Sequence, residues 1–232
     1  MHYSLGLEQT EKGRWTAWVL ELPGCFARSD SREGAIKCAP RAIADYFNWR
    51  DGYQRVTDDI AATLATKVVE EYRNYETLDG HWVNAFFEYD RRPLGSAETD
   101  DIRWLLSCTR SDLMSTVQRI PVALLDRQID GERFSTLRGV LKHVALAERW
   151  YFDKVGLAVP KEELGTDVLR MLEVIRRNSI MQLPRLTDDP TVREVHGELW
   201  SARKIIRRTL WHERVHTWHL QRLFGQLRQK PE

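Results

Sequence analysis

The chain has little cysteine, no long apolar run and almost no net charge, and each shortage narrows what it can be. Its 232 residues include three cysteines, Cys25, Cys38 and Cys108, which lie far apart and in no CxxC spacing. Neither a disulfide framework nor a zinc knuckle is therefore expected. No uninterrupted apolar stretch approaches the ~18 residues that a membrane span requires, and the opening MHYSLGLEQTEKGRW lacks the charged-then-apolar layout of a signal peptide. The expectation is a cytoplasmic protein with no membrane partner. A net charge of +1 exerts no general pull on nucleic acid. A composition that is 42% hydrophobic and 30% charged can bury one large core or two modest ones.

The charge is nevertheless uneven. Between Ser201 and Lys230 stand Arg203, Lys204, Arg207, Arg208, Arg214, Arg222, Arg228 and Lys230, against Glu213 alone. Such a run could form a nucleic-acid-binding face. The plainer reading, preferred here, places long basic side chains on the solvent side of an amphipathic helix, so nucleic acid is not an expected partner.

The predicted organisation is α+β. YSLGLE (3–8) and WTAWVLE (15–21) alternate like strands around an EKG connection, which predicts a β-hairpin, and CFARSD supplies a third short strand. Ser31 then opens a helix in which Pro40 should cause a kink or a break. HWVNAFFEYD (81–90) has the aromatic and β-branched content of a further strand, while the interval from Gly52 to Asp79 has no assignment. RRPLGSAETD (91–100) reads as a junction. Beyond it, apolar spacing predicts four helices: Asp101–Ile120; from Ser135 as N-cap to Gly156; Thr166–Leu183, stopped by Pro184; and Glu198–Arg228. A four-helix bundle is the simplest arrangement for them.

On the last of these helices Ile205, Thr209, His212, His216, His219, Leu223 and Leu227 fall at steps of three and four, the seam that a bundle helix turns inward. Buried imidazoles need partners. His212 and His216 lie one turn apart and can aim at a common point. The same stretch, HERVH, matches the HExxH pattern of zinc proteases, in which Glu213 would be the general base, but nothing around it resembles that context. His143, in LKHVALAERWY, shares a face with Val140, Ala147 and Trp150 and can approach from a second helix. Alone it would read as a hydrogen-bonded core histidine; opposite the pair it predicts a divalent transition-metal site, zinc or nickel by ligand type. His219 is expected to orient a ligand or bound water rather than to hold the ion. Glu148, ~140° around the helix from His143, reads as structural or as a group that supports the metal ligands from behind. Trp150, Trp211 and Trp218 could line an approach, although core packing is the expected duty of each.

LKHVALAERWY and HERVHTWHL resemble the DinB/YfiT-like superfamily over residues 96–230. The resemblance implies a helical bundle holding a divalent metal through His143, His212 and His216; at His219 many members carry Gln. Residues 1–92 resemble a HicB-like domain, through YSLGLEQ, the LPGC turn and the Ser-Asp-Ser helix start. Together they imply a HicB-like α/β domain followed by a DinB-like bundle in a homodimer. The function implied is a metal-dependent transferase joining a low-molecular-weight thiol to an electrophilic small molecule. The alternative is a nonenzymatic regulatory or binding protein with a structural metal and a HicB-like partner-binding module. Neither catalytic residues nor an organic cofactor can be assigned from the sequence.

Overall fold

A computed structural model of the chain describes residues 2–52, 57, 61 and 63–229. The fold is mixed α+β. Among the described residues it has five α-helices, a four-stranded mixed sheet and two short two-stranded ribbons. The chain divides into two compact units, Met1–Pro93 with Pro190–Arg207, and Leu94–Asp189 with Arg208–Glu232. Residues 190–207 thus group with the first unit.

In the first unit, β1 (His2–Gln9) and β2 (Trp15–Val19) form the expected hairpin, and β3 (Phe26–Ser29) adds to β2. β4 (Ala65–Arg73) pairs parallel to β1 and completes the order β3-β2-β1-β4. All five residues of β2 are buried because both faces of the sheet are covered. Leu5 opposite Val19 and Leu7 opposite Ala17 lie on the face shared with Tyr3, whose ring meets Phe47 of helix α1 (Arg32–Asp51). Gly6 opposite Trp18 and Glu8 opposite Thr16 lie on the other face, against Phe87 and Ala85.

Ser31 caps α1 by accepting from the Gly34 N–H, and Gly52 closes it at φ 68°. The helix runs unbroken through Pro40. One missing backbone bond is outweighed by the buried stripe of Ala35, Ala39, Ile43, Ala44 and Tyr46.

The segment 81–90 departs from expectation. Only Trp82–Val83 (β6) pairs, with Tyr75–Glu76 (β5). Ala85 and Phe87 turn into the core, and the Asp90 carboxylate accepts from the Phe87 N–H at 2.9 Å, drawing Glu88–Arg91 into a 3₁₀ turn. β4 lies in the interval without an assignment and gives no apolar signal because it has no fully buried residue: Lys67, Val69, Glu71 and Arg73 face solvent.

A second correction lies at the start of the longest helix. β7 (Arg193–Val195) and β8 (Glu198–Trp200) form a hairpin, turned by His196 at φ 54° and Gly197 at φ 73°, the two consecutive positive values of a type I′ turn. Helix α5 is therefore Ala202–Gln229, with Ser201 accepting from the Lys204 N–H. Its first basic residues are not solvated. Arg203, Lys204, Arg207 and Arg208 are all buried. Lys204 Nζ meets the equally buried Glu198 at 2.8 Å, and the Arg207 guanidinium lies over the Trp18 and Phe87 rings while binding Asp90 at 2.6 Å.

The second unit holds α2 (Ser96–Val117), α3 (Leu137–Asp153), α4 (Val168–Leu186) and α5 from Arg208 onward. α2 begins earlier than predicted because Glu98 reaches back to the Gly95 N–H. Thr136, rather than Ser135, caps α3 through the Gly139 N–H, and α4 continues past Pro184. All four helices contribute to one core, among them Leu113, Leu141, Val144, Leu172, Ile175 and Leu223.

Candidate metal centre

The apolar stripes of α3 and α5 bring His143, His212 and His216 together. One ring nitrogen from each lies within 4.8 Å of the others. The ring centroids are 4.8 Å apart for His143–His212, 4.7 Å for His143–His216 and 4.3 Å for His212–His216. His143 Nε2 and His212 Nε2 are 3.0 Å apart. That is a hydrogen-bond distance for one N–H and one lone pair, and close to the roughly 3.3 Å between two nitrogens on a tetrahedral ion at bond lengths of about 2.0–2.1 Å.

The electrostatics keep His143 and His212 neutral. Burial, then the Arg133 charge, pushes His143 down to about 4. His212, more deeply buried and beside His216 and His143, falls well below its ordinary value. Neutral imidazole is the ligating form. The donor set, three nitrogens from two helices with no carboxylate among them, fits a borderline transition ion such as zinc or nickel better than Mg²⁺ or Ca²⁺.

The fourth histidine stands apart from the cluster. His219 Nε2 meets Glu132 Oε2 at 3.4 Å, and Arg222 holds the other carboxylate oxygen at 2.7 Å. Arg222 and then His219 keep the Glu132 carboxyl below its usual range. Phe134, two residues on, lies 4.6 Å from the His143 ring, inclined at 31°, and Tyr151 approaches His212 at 5.9 Å. Of the three tryptophans, Trp150 and Trp218 are exposed rather than packed inside. Lys154 sits over Trp150, Arg214 over Trp218 and Arg208 over Trp211.

Beside the histidines runs a buried charge network that the sequence pattern did not disclose. Arg176 of α4 binds Glu148 of α3 at 2.7 Å and Glu213 of α5 at 2.6 Å. Arg110 of α2 binds the same two carboxylates at 2.8 and 2.7 Å, and Thr109 donates to Glu213. Arg110 and Arg176 also donate to the Leu172 and Leu106 carbonyls. Of its two expected roles Glu148 takes the structural one, paired with Arg110 and Arg176. Glu213 is buried as well. Burial alone would raise its carboxyl, but Arg110 and Arg176 dominate and bring it to about 2. A base so weak, with both oxygens engaged, cannot serve as the general base of an HExxH protease. The available signal was spacing: Arg176 shares a face with Leu172, Ser179 and Leu183, all buried, so a charge there needs an internal partner.

No family model, no curated protein and no solved structure matches this chain. Cavity size points elsewhere than the histidines: neither a cavity of about 870 Å³ beside Thr116, Leu124, Gln221 and Phe224 nor one of about 720 Å³ lined by Arg110, Met114, Leu172, Arg176, Met181 and their neighbours has a histidine among its lining residues. Chemistry is the better guide, because Arg110 and Arg176 are already neutralised by Glu148 and Glu213.

Proposed function

We propose that the protein binds a divalent transition-metal ion, zinc or nickel, through His143, His212 and His216, and uses it on a low-molecular-weight thiol that is joined to an electrophilic small molecule. The observation that carries the reading is the convergence of three imidazoles from two helices within 4.8 Å. When bound, such an ion lowers the pKa of a thiol or water beside it and supplies a nucleophile at neutral pH. The residues' own contribution is to present three lone pairs and no negative charge, so that an anionic thiolate is not repelled. His219, engaged by Glu132, is not in the cluster, which favours a three-ligand site with room for substrate over a closed structural one. In this reading the second unit is a DinB-like four-helix bundle, the first a noncatalytic HicB-like module, and the whole a homodimer.

The test is elemental analysis of the purified wild type beside His143→Ala and His216→Ala, followed by a thiol-dependent conjugation screen of the metal-loaded protein. Stoichiometric metal in the wild type and its loss from both variants is the expected result. Equal metal content in all three sinks the assignment. Metal without any thiol-dependent turnover shifts the balance to a nonenzymatic, structural role.

A further inference from the structure

The loop between α2 and α3 has a built neck and a latched tip. At the neck, the Arg138 N–H donates to the Leu125 carbonyl at 2.9 Å, the Ile129 N–H to the Ser135 carbonyl at 2.8 Å, and the Arg138 guanidinium grips both Asp126 oxygens at 2.6 and 2.9 Å. The tip between Ile129 and Ser135 contains Gly131 at φ 74°, then Glu132, Arg133 and Phe134. Besides the packing of Ile129 and Phe134 against the core of the helices, two contacts hold this tip down. Glu132 is bound by Arg222 and His219, both on α5. Phe134 lies against three histidine rings at once, 4.6 Å from His143, 6.0 Å from His216 and 6.4 Å from His219.

We propose that Ile129–Ser135 is a flap forming one wall of the histidine site, that Phe134 is the residue on it that determines which ligands reach His143 and His216, and that Glu132 is its latch. The proposal deepens the metal-site reading and, as to ligands, rests on it. A compact loop closed at its neck moves as a unit about its ends, and the contacts to be broken are the latch, the Phe134 ring contacts and the packing of the partly buried Phe134 on the core, with Ile129 at the hinge. The latch is an ion pair in which Arg222 is half exposed and Glu132 about a quarter exposed, a class of contact that is weak in water. The aromatic contact is one ring on imidazole, also modest. A flap held this way opens often without unfolding the helices beneath it. Phe134 presents an apolar face to the approach, so a ligand with an apolar or aromatic arm can replace its contact with His143, while a strongly hydrated ligand cannot. His219 thereby acquires a position-holding role on the latch.

Two readouts on the full-length protein test this, with Glu132→Gln and Phe134→Ala beside the wild type. The first needs no metal. Diethylpyrocarbonate modification of metal-free protein, followed site by site by mass spectrometry, should run about three- to tenfold faster at His143 and His216 in both variants, the factor expected from removing one modest contact. Unchanged rates at both histidines overturn the flap. The second is the rate at which EDTA strips Zn²⁺ from loaded protein, expected to rise by a similar factor with the stoichiometry unchanged. If the wild type takes up no zinc, the metal reading fails while the modification rates still decide the flap. Glu132→Gln removes charge with almost no change of shape, so a variant that folds is in hand even if Phe134→Ala is unstable.

Discussion

Gly6 shows how tightly single positions are set. A Cβ built there would stand 2.7 Å from the Phe87 ring, beside the register shift between Leu5 and Gly6 in the β1–β4 pairing. Gly6→Ala is therefore expected to cost about 1–3 kcal/mol by overpacking, read as a lowered urea midpoint with an unchanged slope. His219→Gln is expected to do little. The amide can still donate to Glu132, so metal content should stay at the wild-type level. Loss of metal to the extent seen in a His212→Ala protein would make His219 a ligand. The three clustered histidines could be read from sequence because an i, i+4 pair of imidazoles on an apolar stripe needs a common partner in the interior. Glu132 and Phe134 could not, since they sit in a loop where no period links a residue to its neighbours in space.

Helix α5 turns on charges that a hydrophobic pattern hides. Glu213 is bound by Arg110 and Arg176 and accepts from Thr109, so its removal leaves two guanidinium groups short of a partner inside the second unit. Breaking such a pair costs about 3–5 kcal/mol. Glu213→Ala should show that loss in chemical denaturation, and Glu213→Ala combined with Arg176→Met should recover part of it. An additive double variant would deny the coupling. The apolar spacing of the four helices was legible, and their starts were misplaced by only a few residues where a cap such as Thr136 or Glu98 decides the boundary. The face assignment failed for Arg203, Lys204, Arg207 and Arg208. A run of basic residues suggests solvent, yet each of these guanidinium or ammonium groups is buried because carboxylates, carbonyls and aromatic faces meet it. Of these, Glu198 stood in a stretch read as the start of a helix and Asp90 in one read as a strand. Pairings of that kind, 117 positions apart for Asp90 and Arg207, leave no trace in local pattern.

At the scale of the whole molecule, stability should respond to both metal and alkali. An ion that binds the folded histidine cluster and not the unfolded chain adds about 2.7 kcal/mol when present at 100 times its dissociation constant. Calorimetry with and without zinc should thus show a later transition, and the His143→Ala protein should not. Burial, then the neighbouring Tyr75, raises the Tyr72 hydroxyl from 10.0 to about 12. Between those values the unfolded chain gives up a proton that the folded one keeps, so stability falls as pH climbs through the window. The absorbance of tyrosinate should show a late-ionising group that disappears in Tyr72→Phe. The first unit also carries a consequence for synthesis. Asp90 meets Arg207, and His81 and Asn84 meet Glu198, so these contacts cannot close until the ribosome has passed residue 198 for Glu198 and residue 207 for Arg207. By then the whole of 94–189 has emerged. A protein of this kind is not a pair of beads made one after the other. Released early at residue 93, the nascent chain would leave Asp90 without its Arg207 counter-charge and the Trp18 and Phe87 rings without the guanidinium that lies over them, and chaperone capture of such arrested chains is the outcome that ribosome profiling of its translation should reveal.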